Sequence, residues 1–178
     1  MQFKKFYAGI GSRKTPTDVQ QSMQQIAYQL GKKGYRLRSG GAIGADTAFM
    51  AGTIVANFPK TVYLPSFQFN GYQHNPLEGF LDSTTVSTWQ EALDMVDKYH
   101  PAPDKLSSFA RKLMARNAYQ VLSTTLKDPV DFVICWTKDG KLVGGTAQAM
   151  KIAMDFGIPI YNLAIVEDIR KLHKEVLC

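Results

Sequence analysis

The feature that most constrains this chain is a unit that recurs along it: a short apolar strand segment, a glycine-rich turn, then a helix. It occurs at Tyr7-Ala8-Gly9-Ile10-Gly11-Ser12-Arg13, at Ser39-Gly40-Gly41-Ala42-Ile43-Gly44-Ala45-Asp46 and at Val143-Gly144-Gly145-Thr146. Strands separated by helices pair in parallel and pack the helices against the sheet. The expected fold is α/β: a single Rossmann-like, doubly wound domain over residues 1–178. Its mostly parallel sheet has about five strands, with helices on both faces. A length of 178 residues suits one such domain.

Local signals set the expected boundaries. Lys4 to Ile10 reads as a strand, after which Thr15 caps a helix with Pro16 at its first position. Val19, Met23, Ile26, Ala27 and Leu30 recur there at helical spacing. Strands follow at 35–39 and 61–64, with a helix from about Ala45 to Asn57 between them. Thr88 and Glu91 form a capping box that starts a helix to about Tyr99, and a long helix runs from about Lys105 to Thr125. Asp131 to Trp136 is a continuous apolar run of the kind buried on both faces. Gly144-Gly145-Thr146 opens a helix to about Phe156, followed by a strand at 159–163 and a terminal helix at about 165–176. Residues 66–87 show no period and read as an irregular insertion, a loop long enough to be functional or mobile.

Composition narrows the function classes. No apolar run approaches the ~18 residues needed to span a bilayer, and no signal-peptide core precedes the first strand segment. Cys135 and Cys178 have no metal-like spacing, and His74, His100 and His173 are scattered. A cytoplasmic protein without a structural metal or resident cofactor is expected, in the host cytoplasm if the chain is phage-encoded. The net charge of +6 favours anionic partners, although solubility alone would account for it equally well.

The turns carry the chemistry. In an open α/β sheet, ligands sit beyond the carboxyl ends of the strands, where all three turns belong. Glycines let the backbone approach a ligand, and the free N–H groups of the next helix attract anions. The candidate ligand-binding residues here are Gly9, Gly11, Ser12, Arg13, Ser39, Gly40, Gly41, Ala42, Gly44, Asp46, Gly144, Gly145 and Thr146. The third-glycine position of the dinucleotide fingerprint holds Lys14, and Arg36, Arg38 and Ser39 stand where its acidic residue belongs. No GxxxxGK[ST] loop is present, so P-loop hydrolysis is excluded. Asp46 either complements a helix dipole or accepts from a ribose or base edge. Asn117, on the apolar face of Leu106, Phe109, Leu113 and Val121, and Arg116 at its border either join a buried network or reach into a site. Trp136 and Thr137 end the buried strand at the same edge, and Trp136 either stacks on a base or closes the core. Phe67, Phe69, Tyr72 and Trp89 either line this site or cover the sheet.

Together these residues resemble the SLOG superfamily, which unites the DNA-processing (Smf/DprA) proteins with the LOG phosphoribohydrolases. The resemblance is to the small, often phage-encoded branch with a YAGIGSR opening, here Tyr7 to Arg13. It continues through Ser39 to Ala42, Gly44 to Asp46, Arg116-Asn117, Trp136-Thr137, Gly144 to Thr146, Ile158-Pro159 and Asn162-Leu163. It implies binding of nucleotides, nucleotide-derived signals or single-stranded DNA at these turns, and a homo-oligomer. LOG enzymes carry a catalytic glutamate in a PGGxGTxxE motif. Aligning Gly145-Thr146 places Ala149 there, beside Gln148, so no catalytic residue is assigned. The added winged-helix domain of DNA-processing proteins is not expected.

Three functions follow. The first is a binding protein for an ADP-ribose-type or cyclic nucleotide signal, which in a phage would sequester a host immune signal. The second is a single-stranded DNA-binding recombination mediator of the DNA-processing type. The third is a LOG-like nucleoside 5'-monophosphate phosphoribohydrolase, using Asp46 to hold ribose and Glu78 or Glu91 as acid/base.

Overall fold

The computed structural model describes residues 5–178. The chain runs β1 (Lys5–Gly9), α1 (Thr17–Lys32), β2 (Tyr35–Ser39), α2 (Ala45–Ile54) and β3 (Lys60–Leu64), then a small hairpin of β4 (Gln68–Phe69) and β5 (Tyr72–Gln73). It continues through β6 (Phe80–Asp82), α3 (Trp89–Tyr99), α4 (Ser108–Leu122), β7 (Phe132–Cys135), α5 (Gly144–Asp155), β8 (Ile160–Asn162) and α6 (Val166–Leu172). Six strands pair in parallel in the order β6-β3-β2-β1-β7-β8. Lys4, the expected start of the first strand, lies outside the described residues.

Side chains along the central strands alternate between two cores, as the pleat requires. Tyr7, Leu37, Val62, Leu64, Phe132 and Ile134 point to the layer of α1, α2 and α6. Ala8, Tyr63, Val133 and Cys135 point to the layer of α3, α4 and α5. All four residues of β7 are buried, as the apolar run at 131–136 implies for a strand covered on both faces. Burial pushes the Cys135 thiol up to about 12, so it behaves as a core hydrophobe. No helix among the described residues is long and apolar enough to cross a membrane.

The largest departure from expectation is at 66–87, which is not an irregular loop. Asn70 (φ +50°) and Gly71 (φ +80°) make the two-residue turn of the β4–β5 hairpin, and both positive φ values fit a type I′ turn. Asn75 then bridges Phe80, and β6 adds a sixth, edge strand by pairing Val62 with Phe80 and Leu64 with Asp82. These strands are two or three residues long, too short for a period to show. Two expected caps also differ. Pro16, not Thr15, stands at the cap of α1, and Thr15 Oγ1 instead donates to Ser12 O at 2.6 Å. Thr88 caps α3 without a side-chain cap bond, because its hydroxyl is engaged by Tyr119 of the adjacent α4 and by the Thr124 carbonyl just beyond that helix. The long helix is shorter than expected, with Ser107 Oγ accepting from Ala110 N as its cap.

The closest helix crossing on the first face rests on Gly52 of α2. A β-carbon there would overlap the Gln24 carbonyl oxygen of α1 and stand 2.7 Å from Ala27 Cβ. Because backbone blocks the space, Gly52→Ala is expected to force the helices apart and cost about 1–3 kcal/mol. Urea unfolding followed by circular dichroism checks this, and an unchanged midpoint would contradict so close a crossing.

Candidate functional site

The strand order reverses beside β1. The chain steps outward from β1 through β2 to β3, then returns to place β7 on the other side of β1. The connection after β1 leads to α1 on one face, and that after β7 leads to α5 on the other. Two loops that part in this way leave a crevice beyond the carboxyl ends of the strands.

The first turn borders this crevice and is tied to β7. Ile10 N donates to Ile134 O and Ser12 N to Trp136 O, each at 3.1 Å. Ser12 Oγ accepts from Lys14 N at 3.0 Å, which leaves Arg13 exposed at the tip. Gly11 is pressed against the next turn and β7: a β-carbon would sit 2.7 Å from Ala45 Cβ and 3.0 Å from Trp136 O. Gly9 has a different role from the rest. It lies inside β1, where a β-carbon would be 2.6 Å from the Phe49 ring, so it packs the core.

The second turn, Gly40 to Gly44, is held from below. Gly41 (φ +72°) and Gly44 (φ +88°) adopt left-handed backbone that other residues resist. The Gly44 turn also abuts the first one, with the Ser12 and Arg13 carbonyl oxygens 2.7 and 2.8 Å from where a β-carbon would be. Ser39 Oγ donates to Gly9 O at 2.7 Å, and Ala42 N donates to Asp46 Oδ2 at 3.1 Å. From α4, Arg116 Nη1 donates to the carbonyls of Gly40 and Tyr63, the latter at 3.0 Å. Asn70 of the hairpin reaches back, its Nδ2 donating to Gly41 O at 3.0 Å.

The third turn is open. Gly144 (φ +67°) and Gly145 are exposed, and α5 begins without a side-chain cap. Asn117 Nδ2 donates to Gly145 O at 2.9 Å, so α4 anchors this turn as well as the second. Thr137 is buried, its Oγ1 accepting from Asn162 Nδ2 at 2.7 Å, and Thr146 is buried in the first turn of α5. Trp136 is half-buried and packs against the first core, completing the sheet edge.

The structure therefore brings the three turns to one edge and sorts their polar side chains. Asp46, Arg116, Asn117, Ser39 and Thr137 are buried and bonded within the protein, whereas Arg13 and the backbone of 143–145 face solvent. Lys14, Lys138 and Lys141 stand exposed on the first and third connections, with Ile43, Leu142 and Val143 as exposed apolar neighbours. Of the aromatics, Phe69 and Tyr72 cover the second turn; Phe69 lies 5.7 Å from the Arg116 guanidinium. Phe67 lies against His74, and Trp89 packs on Tyr119 on the α3 side. Glu78 and Glu91 are exposed on the turn before β6 and the first turn of α3. Ala149 is in the core, and Gln148 beside it is buried with no hydrogen-bond partner among the described residues. No three His, Cys, Asp or Glu side chains among those residues are grouped to hold a metal ion. Sequence reasoning missed Asn70 and Gln120, whose Nε2 crowds the space above Gly40. The Asn-Gly pair at 70–71 was the available signal for the hairpin.

The arrangement has solved counterparts. DNA processing protein A from Helicobacter pylori, described for its single-stranded DNA binding mode, superposes with a TM-score of 0.56 at 17% identity, over 98% of this chain and 74% of that one. The molybdenum cofactor carrier protein of Chlamydomonas reinhardtii gives 0.58 at 14% identity, over 96% of this chain and 84% of that one. DNA processing protein A of Streptococcus pneumoniae gives 0.57 at 16% identity; this chain is covered to 98% and spans 57% of the pneumococcal protein. The fold is Rossmann-like and is shared with these proteins. No protein-family model and no curated protein sequence matches the chain. Two neighbours of this fold are named for quite different ligands, so the fold alone leaves the ligand of this chain open.

The buried Asp46 has a measurable signature. Burial pushes its carboxyl up to about 6, against the pull of Arg116 and of the Ala42, Gly40 and Ser39 donors. Burial lowers the Arg116 pKa, and Asp46 opposes that shift. An acid with a raised folded pKa binds its proton more tightly when folded, so stability is greatest below the unfolded value and falls as pH rises from about 4 to about 6. The shift from 3.8 to about 6 corresponds to a loss of about 3 kcal/mol, constant above that window. Asp46→Asn is expected to remove this slope. Chemical denaturation of both proteins from pH 4 to 7 checks it, and parallel curves would contradict the assignment.

Proposed function

We propose that this protein binds a phosphate-bearing nucleotide derivative, of the ADP-ribose or cyclic nucleotide type, in the crevice between the first and third turns. One observation carries the reading: the reversal of strand order at β1 and β7 sets glycine turns on both sides of a single crevice. In this reading the phosphates meet the N–H groups at the start of α5 and the exposed Arg13, while Ser12 shapes the loop. Exposed Ile43, Leu142 and Val143 offer apolar surface to the base. Asp46, Arg116 and Asn117 act as positioning residues, since their polar atoms hold the turn backbones. Binding without turnover is supported by Ala149, a core residue where LOG enzymes have their glutamate. Such a protein would act as a sponge, sequestering a signal, and in a phage that signal would belong to host defence.

A thermal-shift screen tests this, with ADP-ribose, NAD, cyclic dinucleotides, mononucleotides and a short single-stranded oligonucleotide at two salt concentrations. A ligand at ~100 times its Kd adds roughly 2.7 kcal/mol and raises the midpoint by several degrees. The expected result is a shift from one small nucleotide at both salts. Arg13→Ala is then expected to weaken binding about tenfold or more by calorimetry while leaving the unfolding midpoint of the free protein unchanged. No shift with any small nucleotide would overturn the reading. A second reading rests on the basic side chains Arg13, Lys14, Lys138 and Lys141 along the same edge. They suit the backbone of single-stranded DNA, and a shift from the oligonucleotide alone, lost as salt rises, would decide for it.

A further inference from the structure

The first turns of α5 hold a polar side chain that the fold does not use. Gln148 is 3% exposed, and neither its Nε2 nor its Oε1 has a hydrogen-bond partner among the described residues. Ala149 and Ile152, next to it along the helix, belong to the second core. An amide buried in this way is less stable than an apolar residue of the same shape, which has no polar atom to satisfy. At the same edge of the sheet Ser39, Asp46, Arg116, Asn117 and Asn162 are all bonded within the protein. Gln148 is unlike them.

Its place in the helix aims it at the third turn. Side chains of an α-helix lean toward its N-terminus, and residues three or four apart share a face. Gln148 therefore stands beneath Gly144 and Gly145, where the backbone is exposed and no side chain caps α5. Met114 of α4 fills the side of Gly145, its Cε 3.0 Å from where a β-carbon would be. Met114 is only half-buried, and its unbranched thioether adapts readily to a new neighbour.

The unused amide calls for a partner that gives and takes a hydrogen bond side by side. A phosphate offers acceptors only, and the N–H groups at the start of α5 and Arg13 already suit it. The outer edge of adenine, with its N6 amino group beside N7, matches the amide in both directions. On that edge guanine shows two acceptors, cytosine a single donor and thymine a single acceptor. We propose that Gln148 reads the base of the bound nucleotide, pairing with N6 and N7 of adenine while Met114 gives way beside Gly145. This inference rests on the nucleotide-binding reading above and narrows it to an adenine-bearing ligand.

Calorimetry on the full chain tests it with three probes: ADP-ribose, its counterpart with purine, which lacks the 6-amino group, and its counterpart with 7-deazaadenine, which lacks N7. The unsubstituted protein is expected to bind each counterpart about tenfold more weakly than ADP-ribose. Gln148→Met keeps the length of the side chain without the amide. It is expected to bind all three alike, with the unfolding midpoint of the free variant unchanged or raised. Equal binding of the three probes by the unsubstituted protein would overturn the inference and leave the nucleotide reading standing. So would discrimination that survives in Gln148→Met, or binding confined to a nucleotide without adenine. A lowered midpoint of the free variant would also overturn it, because the amide would then serve the fold. Only a failure to bind every small nucleotide would overturn both readings together.

Discussion

The architecture at the carboxyl edge of the sheet depends on one buried cation. Arg116 is 5% exposed, and the side chain extends from α4 under the sheet edge to the carbonyls that end β2 and β3. A guanidinium loses much hydration at such depth and must recover it from fixed acceptors. Two carbonyl oxygens supply direct bonds, Leu113 O accepts from Nε at 3.3 Å, and the Asp46 carboxylate supplies a longer-range field. The sequence of the second turn follows from this. Gly40 lacks a side chain because Arg116 and Gln120 fill the volume a β-carbon would take. Asp46 stays buried because it closes the same turn through Ala42 N while partly neutralising the cation.

The adjacent residue extends the constraint across the crevice. Asn117 bonds Gly145 O, so two consecutive positions of α4 fix turns that belong to different halves of the sheet. Consecutive helix residues point about 100° apart, which lets one side chain reach β2 and β3 while the next reaches α5. A displacement of α4 would therefore move both turns together. The backbone donors keep a set spacing without any of them depending on a flexible loop, which is the condition for preorganised recognition of an anion.

This division of labour explains what could be read from the chain and what could not. The three strand–turn–helix units stand out because glycine at positive φ and apolar strands leave local marks, and the buried β7 announces itself by its unbroken apolar run. The polar pair at 116–117 is also visible, as an interruption of an apolar helix face. Its destination is not, since Arg116 meets Gly40, 76 residues away, and periodicity carries no information on such distances. The same limit hid β6. A three-residue strand is decided by pairing with β3, not by its own propensity. Thr88 shows the converse case: the local capping signal is present, but Tyr119 and Thr124 capture the hydroxyl.

The hairpin at 68–73 is where this structure departs from a bare nucleotide-binding turn. It is built for its position, with Asn70 bonded to Gly41 O, Phe69 against Arg116 and Phe109, and Tyr72 stacked on Phe80. It covers the second turn and leaves the first and third open. Anion-binding donors covered by a fixed hairpin are of no use to an incoming phosphate, whereas the exposed, uncapped start of α5 is. In the proposed reading the second turn is the structural wall of the crevice and the third its open, anion-binding side. In that reading recognition falls to Arg13, Gly144 and Gly145, which are open to solvent, rather than to the buried Asp46 and Arg116, whose effect on a ligand must pass through the backbone they hold.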